Sequence, residues 1–351
     1  MKTIKHIVIS NKFNIGDIIV ALPLARLIKN AYPDCKITFL TRDYVKDVIN
    51  IASDVDHFAS YNQINDSHEQ EAIEALKALK ADVFLHLVPD KRLAKLVAAA
   101  EIPLRIGTIR RWYHLLYCNR ILMNSRRSLK LHESQINVRY LSGLNLPYRY
   151  TTEELKNFIR LAPQPTCPEP WLTKLSKDKF NLIIHPGSNG NAIEWPIASF
   201  QALIAQLPPE RFTIFISGNE KEAARFHEVL VKPFPHVVDL MGKMTLGQFA
   251  HFIQQADMLI SNSTGPLHLS AGIGTHTLGL FPRQNGINPV RWQPLGEKAK
   301  FLTSEQVCDH CLNNKETRPH QNPACSCMHY LKVETVLKHI LSLSSGVSLS
   351  S

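Results

Sequence analysis

Along this chain of 351 residues two apolar rhythms alternate. Short continuous apolar runs, the mark of strands buried on both faces of a parallel sheet, fall at residues 4–10, 36–41, 83–87 and 104–107. Between and after them, apolar positions recur at helical spacing over 17–31, 68–80, 90–100 and 133–144. The pattern then restarts. It predicts strands at 181–185, 213–217, 237–239, 258–261 and 277–281, with helices at 196–206, 220–231, 245–255 and 266–272. A last amphipathic helix is predicted at 332–343. Residues 163–170 hold four prolines in eight positions, which predicts a linker with neither helix nor central strand.

Alternating strands and helices build parallel sheets covered on both faces. The expected organisation is an N-terminal Rossmann-like domain over 1–162, a Pro-rich linker over 163–171 and a C-terminal Rossmann-like domain over 172–330. A C-terminal helix over 331–345 and a Ser-rich tail over 346–351 complete it. Two such halves joined by a linker point to the α/β architecture called GT-B, in which two Rossmann-like domains face a central cleft.

Two segments stand where such a fold does chemistry, just beyond strand ends. The first is Ile15-Gly16-Asp17 after the opening strand. Gly16 permits a tight turn, and Asp17 falls at a helix start. There it is either an N-cap carboxylate or a general base that takes a proton from an acceptor hydroxyl. The second is Ser263-Thr264-Gly265-Pro266-Leu267-His268, where hydroxyls, a glycine and free N–H groups meet at a helix N-terminus, an anion site. Ser188, Asn189 and Gly190, in the His185–Gly190 loop, offer further donors able to wrap a diphosphate without a metal. The expectation is that the carboxylate and the anion site confront each other across one cleft. Two other matches carry less. Gly272-Ile-Gly274 with Gly279 imitates a dinucleotide fingerprint but follows a helix, so it reads as a helix-to-strand turn. Asp54-Val55-Asp56 imitates a metal-binding motif but lies between a helix and a short strand, and reads as solvated loop.

Charge narrows the partners. The net charge is +10, and the excess is local. Arg105, Arg110, Arg111, Arg120, Arg126, Arg127 and Lys130 fall in one acid-free stretch, interleaved with Trp112, Tyr113 and Tyr117. Such a stretch suits a phosphate-rich partner, whether nucleic acid, lipid head groups or a phosphorylated saccharide. No nucleic-acid module accompanies it, so none is expected as a partner. No apolar stretch approaches the roughly 18 residues that span a bilayer, and no cleavable signal follows the first run. The expected location is the cytoplasm, peripheral to the inner membrane.

Seven cysteines divide into two groups. Cys35, Cys118 and Cys167 stand alone and read as packed thiols. Cys308, Cys311, Cys325 and Cys327 cluster, with His310, His320 and His329 nearby. In a reducing compartment this favours a structural zinc site over disulfides, although the second pair is closer than in a zinc ribbon, and plain reduced thiols are the alternative.

Taken in order, four segments resemble glycosyltransferase family 9, the bacterial heptosyltransferases of lipopolysaccharide assembly. They are residues 11–23 with Gly16-Asp17, residues 185–196 with His-Pro-Gly and Trp-Pro, Gly242-Lys243-Met244-Thr245-Leu246, and residues 263–274. The resemblance implies an inverting, metal-independent transfer of a heptose from an ADP-linked donor to a lipid-linked saccharide, with Asp17 as the base. Ser188, Asn189, Gly190, Ser263, Thr264, Gly265 and His268 would hold the donor, with Met244 at the base and Glu222 at the ribose. Arg110, Arg111 and Arg120 would face the acceptor. The chain departs from the family at two points. Ile193 and Glu194 stand where many members carry Lys, and Ser263 stands where many carry Asp. Arg283 or Arg291 is the expected compensating cation. The rival readings are a nucleotide-sugar epimerase and a basic, zinc-containing nucleic-acid-binding module.

Overall fold

A computed structural model describes residues 4–124, 130–313 and 325–344. The expected tail 346–351, together with Arg126, Arg127 and His320, lies outside the described residues. The chain divides into two compact units, Met1–Ala162 and Pro163–Ser351.

The first unit holds six parallel strands: β1 (His6–Ser10), β2 (Lys36–Thr41), β3 (His57–Ser60), β4 (Val83–His86), β5 (Leu104–Thr108) and β6 (Arg120–Leu122). Their order is β3-β2-β1-β4-β5-β6. The second holds β7 (Phe180–His185), β8 (Phe212–Ile216), β9 (Val237–Asp239), β10 (Met258–Asn262), β11 (His276–Phe281) and β12 (Ala299–Thr303), all parallel. Their order is β12-β11-β10-β7-β8-β9. Counted from its own first strand, each sheet runs 3-2-1-4-5-6 or its mirror listing, the Rossmann order. The order reverses between β1 and β4 in one sheet and between β7 and β10 in the other, which opens a crevice beyond the carboxyl ends of those strands.

The central strands carry the apolar runs that the sequence shows. Ile7, Val8, Ile9, Leu182, Ile183, Ile184, Leu259 and Ile260 are fully buried. The edge strands β6 and β12 were not expected, because an edge strand keeps one side toward solvent and needs no apolar run. Arg120 and Phe301 on them are exposed.

Several local expectations are corrected. The helix expected over 17–31 is two helices, Ile15–Ile19 and Leu22–Ala31. At the break the Val20 carbonyl accepts from Ser134 Oγ at 2.6 Å and Asn137 Nδ2 at 3.4 Å, so tertiary hydrogen bonds occupy it. The linker is not free of helix: Glu169–Leu172 is helical, with Pro170 in its first turn, where its missing N–H costs nothing. Of the Asp54–Asp56 loop, Asp56 is exposed as expected, but Asp54 is not solvated. Asp54 is buried and pairs with Arg26 at 2.8 Å, while Asp56 accepts from Ile37 N and Lys29, both at 2.7 Å. The Gly272–Gly279 segment is the expected turn, with Gly274 ending the helix Gly265–Ile273 at φ 92°. The closing helix, Val333–Ser344, belongs to the second unit. Its Val336 and Ile340 join a core with Trp195, Phe200, Phe212 and Phe226.

Candidate functional site

In the first unit, Asn11 shapes the turn that presents Asp17. Its buried side chain accepts from Phe13 N at 3.1 Å and donates to the Asp17 carbonyl at 3.3 Å. Asp17 is not the cap residue of its helix. Asn14 holds that position, and Asp17 sits in the first turn, half-buried. Lys12, in the same turn, pairs with Asp90 at 2.6 Å, and Tyr61 donates to the same Asp90 oxygen at 2.6 Å. Asp90 in turn caps the helix Lys91–Ala99 through Leu93 N. This ties the loop after β1 to the loop after β4, across the point where the strand order reverses. Hydrogen bonds and the Lys12 charge outweigh burial and hold the Asp90 carboxyl below the usual range. Beneath the site, burial and the neighbouring His114 push His86 down to about 3, which keeps that ring neutral.

Arg110 and Arg111 are exposed just past β5, at the same end of the sheet. The structure does not group Arg120 with them. It starts the edge strand β6, level with Ile106 in the middle of β5. Arg105 is committed elsewhere, donating to the carbonyls of Tyr117 and Ile102. The basic stretch is thus not one face.

In the second unit, the expected donor residues follow successive strands at one end of the sheet. Ser188, Asn189 and Gly190 follow β7, Glu222 follows β8, Met244 follows β9, and Ser263, Thr264, Gly265 and His268 follow β10. Asn189 (φ 47°) and Gly190 (φ 73°) are both left-handed, and Asn191 N donates to the Ser188 carbonyl at 2.9 Å, which makes this a tight turn of the type that favours Asn and Gly. Gly187 is required for space, since a Cβ would collide with the Glu222 carboxylate. Glu222 closes a capping box with Asn219, accepting from Asn219 N at 2.9 Å. Met244 is half-buried ahead of the helix Leu246–Gln255. Thr264 precedes the helix Gly265–Ile273 without capping it; its hydroxyl meets Ser261 Oγ at 2.7 Å. His268 is buried, with its ring near Trp292. His185 is also buried, which lowers its pKa and keeps it neutral beside Ser217.

The roles of Asn262, Glu194 and Arg225 were missed. Asn262, fully buried, latches the two donor loops together: its amide donates to Pro186 O at 2.7 Å and accepts from Trp195 N at 2.9 Å. Glu194 accepts from Ser188 Oγ at 2.8 Å and pairs with Arg225. Nothing local in the sequence marks these partnerships. Arg283, expected to compensate for the family's lysine, is exposed and spends its Nε on Ser304 O at 2.7 Å. Arg291 lies on the short helix Pro289–Trp292 and is also engaged.

The family profile of glycosyltransferase family 9 (heptosyltransferase) matches residues 70–321. The chain belongs to glycosyltransferase family 9. A Haemophilus influenzae protein with a provisional glycosyltransferase name is 27% identical over 309 residues, covering 85% of this chain and 88% of its own length. Among solved structures, a family 9 glycosyltransferase from Veillonella parvula matches at a TM-score of 0.74 and 17% identity, over 98% of this chain and 99% of that one. The E. coli ADP-heptose lps heptosyltransferase II matches at 0.72 and 18%, over 97% and 98%. These likenesses give the fold as GT-B. Family membership makes the protein a glycosyltransferase, and neither the epimerase nor the nucleic-acid reading is favoured.

The cysteine cluster forms a compact set. The Sγ atoms of Cys308, Cys311, Cys325 and Cys327 all lie within 4.8 Å of one another. The separations include 3.3 Å (Cys311–Cys325), 3.4 Å (Cys308–Cys327), 3.5 Å (Cys311–Cys327) and 4.0 Å (Cys308–Cys325). A tetrahedron with metal–sulfur bonds of about 2.3 Å has edges of about 3.8 Å, so the donor set fits a tetrahedral thiolate metal. Burial works against ionisation of these thiols, yet backbone and S–H donors outweigh it at Cys308 and pull that thiol down to about 6. Within the cluster burial pushes Cys325 up to about 12 and raises Cys311 as well, and burial likewise pushes the lone thiols Cys35 and Cys118 up to about 11. Ile193, next to Glu194, packs on the cluster. No helix among the described residues is long and apolar enough to cross a membrane.

Proposed function

We propose that this glycosyltransferase moves a heptose from an ADP-linked donor to a hydroxyl of a lipopolysaccharide-type acceptor, with inversion at the anomeric carbon. The observation that carries the reading is positional. The donor motifs follow β7 to β10 at one end of the second sheet, with the Ser188 loop and the Thr264 helix start after the two strands that flank its reversal point, and Asp17 follows β1 at the reversal point of the first. ADP-heptose named with a structure of the same fold supports the choice of donor.

In this reading Asp17 takes the proton of the acceptor hydroxyl as that oxygen bonds to the anomeric carbon. The bond from that carbon to the diphosphate oxygen breaks, and ADP leaves. Asp17 also faces the positive charge that builds on the sugar. Ser188, Asn189 and the helix start at Thr264–Gly265 receive the leaving diphosphate through backbone N–H groups. Met244 lines the base pocket and Glu222 approaches the ribose. Ser263, Gly190 and His268 complete the donor side, and Arg110 and Arg111 meet acceptor phosphates. The four cysteines hold a structural zinc that takes no part in the transfer.

A thermal-shift panel of nucleoside diphosphates tests the donor. The expected result is stabilisation by ADP well above that by UDP, GDP or CDP, followed by acceptor-dependent release of ADP from ADP-heptose. Selectivity for another base, or turnover of the nucleotide sugar without any acceptor, overturns the proposal.

Contact with the inner membrane falls to the helix Trp112–Tyr117. Its Trp112, Leu115 and Leu116 are 61%, 57% and 66% exposed. Arg110 and Arg111 precede them, and Lys91 lies over the Trp112 ring. Apolar anchors beside cations suit an anionic bilayer surface. The triple variant W112S/L115Q/L116Q is expected to lose co-sedimentation with phosphatidylglycerol vesicles while keeping transfer to a detergent-solubilised acceptor. Unchanged sedimentation removes this helix from the membrane contact.

A further inference from the structure

The donor loops provide neutral donors, and a departing diphosphate gathers negative charge that N–H groups alone meet incompletely. One cation is attached to the loop by the fold itself. Arg225, on the helix Glu220–Phe226, grips Glu194 with two hydrogen bonds, Nη1 to Oε1 at 3.0 Å and Nη2 to Oε2 at 2.5 Å. The same Oε1 accepts from Ser188 Oγ at 2.8 Å. The guanidinium lies 4.6 Å from the centroid of the buried Phe226 ring, which fixes its direction. Glu194 is largely shielded, at 15% side-chain exposure, while Arg225 is 51% exposed and keeps N–H groups toward solvent.

We infer that Arg225, held by Glu194 against Ser188, is the cation that receives the donor's diphosphate. This rests on the donor-site reading above. The arrangement explains why a carboxylate is tolerated beside an anion-binding loop. Glu194 acts as a tether: it orients the planar fork of Arg225 and is neutralised by it, and the outward N–H groups reach the phosphate oxygens. Arg225 is a binding residue in this scheme, and Glu194 is a positioning residue.

Charge logic makes a variant series decisive. Isothermal titration of the full chain with ADP, and with adenosine as the phosphate-free probe, separates phosphate recognition from the base pocket. Arg225→Ala removes the cation and leaves the Glu194 carboxylate facing the ligand. It is expected to weaken ADP about tenfold or more while adenosine changes by less than about twofold. Arg225→Lys is expected to recover part of the loss. The double variant E194Q/R225A is expected to bind ADP more tightly than R225A, because the repelling charge is gone. ADP affinity equal to wild type in R225A overturns the inference. So does parallel loss of ADP and adenosine, which would mark Arg225 as a scaffold residue. A wild-type chain that binds no ADP instead brings down the donor-site reading, and this inference with it.

Discussion

Asp17→Asn is expected to lower kcat by about a thousandfold, within the range that removal of a general base usually costs. The substitution keeps the size of the side chain and its place in the first turn of Ile15–Ile19. The fold is expected to stand, because that turn has supports of its own: Asn11 donates to the Asp17 backbone carbonyl, and Ser134 and Asn137 hold Val20. ADP affinity is expected to be unchanged, since every proposed donor residue belongs to the second unit. The loss should therefore appear in kcat with the dissociation constant for ADP intact, and the pH profile should lose its acidic limb. A D17N enzyme that retains a tenth of wild-type turnover would show that another group takes the proton. Loss of ADP binding or of thermal stability along with activity would show that Asp17 serves the structure.

Cys327→Ser is expected to release one equivalent of zinc per chain and lower Tm by about 10 °C. Cys327 is fully buried and stands within 3.4–3.5 Å of Cys308 and Cys311, so its loss removes one of the four thiolates at the centre of the cluster. Tetrahedral structural sites hold about 10–16 kcal/mol of apparent binding free energy near neutral pH. A third of that, at about 2–4 °C per kcal/mol for a domain of this size, gives the stated fall. Because Ile193 packs on the cluster and Glu194 follows it, the variant should also weaken ADP binding. Cys167→Ala, at an isolated thiol, should lose no metal. Elemental analysis of the purified wild-type chain checks the premise directly. Absence of metal, or a Cys327→Ser variant as stable as wild type, would reduce the cluster to packed thiols, and iron in place of zinc would correct the metal and keep the site.

What could be read from the sequence is what short-range chemistry specifies. A strand buried on both faces needs an unbroken apolar run, so β1, β2, β4, β5, β7, β8, β10 and β11 are visible. Turns need Gly at left-handed positions, and Gly190, Gly242 and Gly274 mark them. Loop motifs after those strands name Asp17, the Ser188 loop and the Thr264 helix start, because residues that surround one ligand at strand ends are grouped within a few positions. The same logic fails wherever two distant segments must meet. The edge strands β6 and β12 form because a neighbour offers a free edge, not because their own residues demand it. Arg120 and Arg111 are near in sequence, yet the fold puts one on an edge strand and the other past the end of β5.

The donor loop makes the division clear. Ser188 and Glu194 are close along the chain, but the grip of Arg225 comes from 31 residues away and the Asn262 latch from 67. Both depend on β7 standing between β8 and β10, an order that hydrophobic periodicity does not encode. The sequence by itself determined two doubly wound sheets and the turns that border their crevices, since those follow from local burial and backbone freedom. Which charges neutralise one another there, and which carbonyl breaks the helix after Asp17, was decided by tertiary structure, because the Arg225–Glu194 pair and the bonds to the Val20 carbonyl join groups that only the fold brings within about 3 Å.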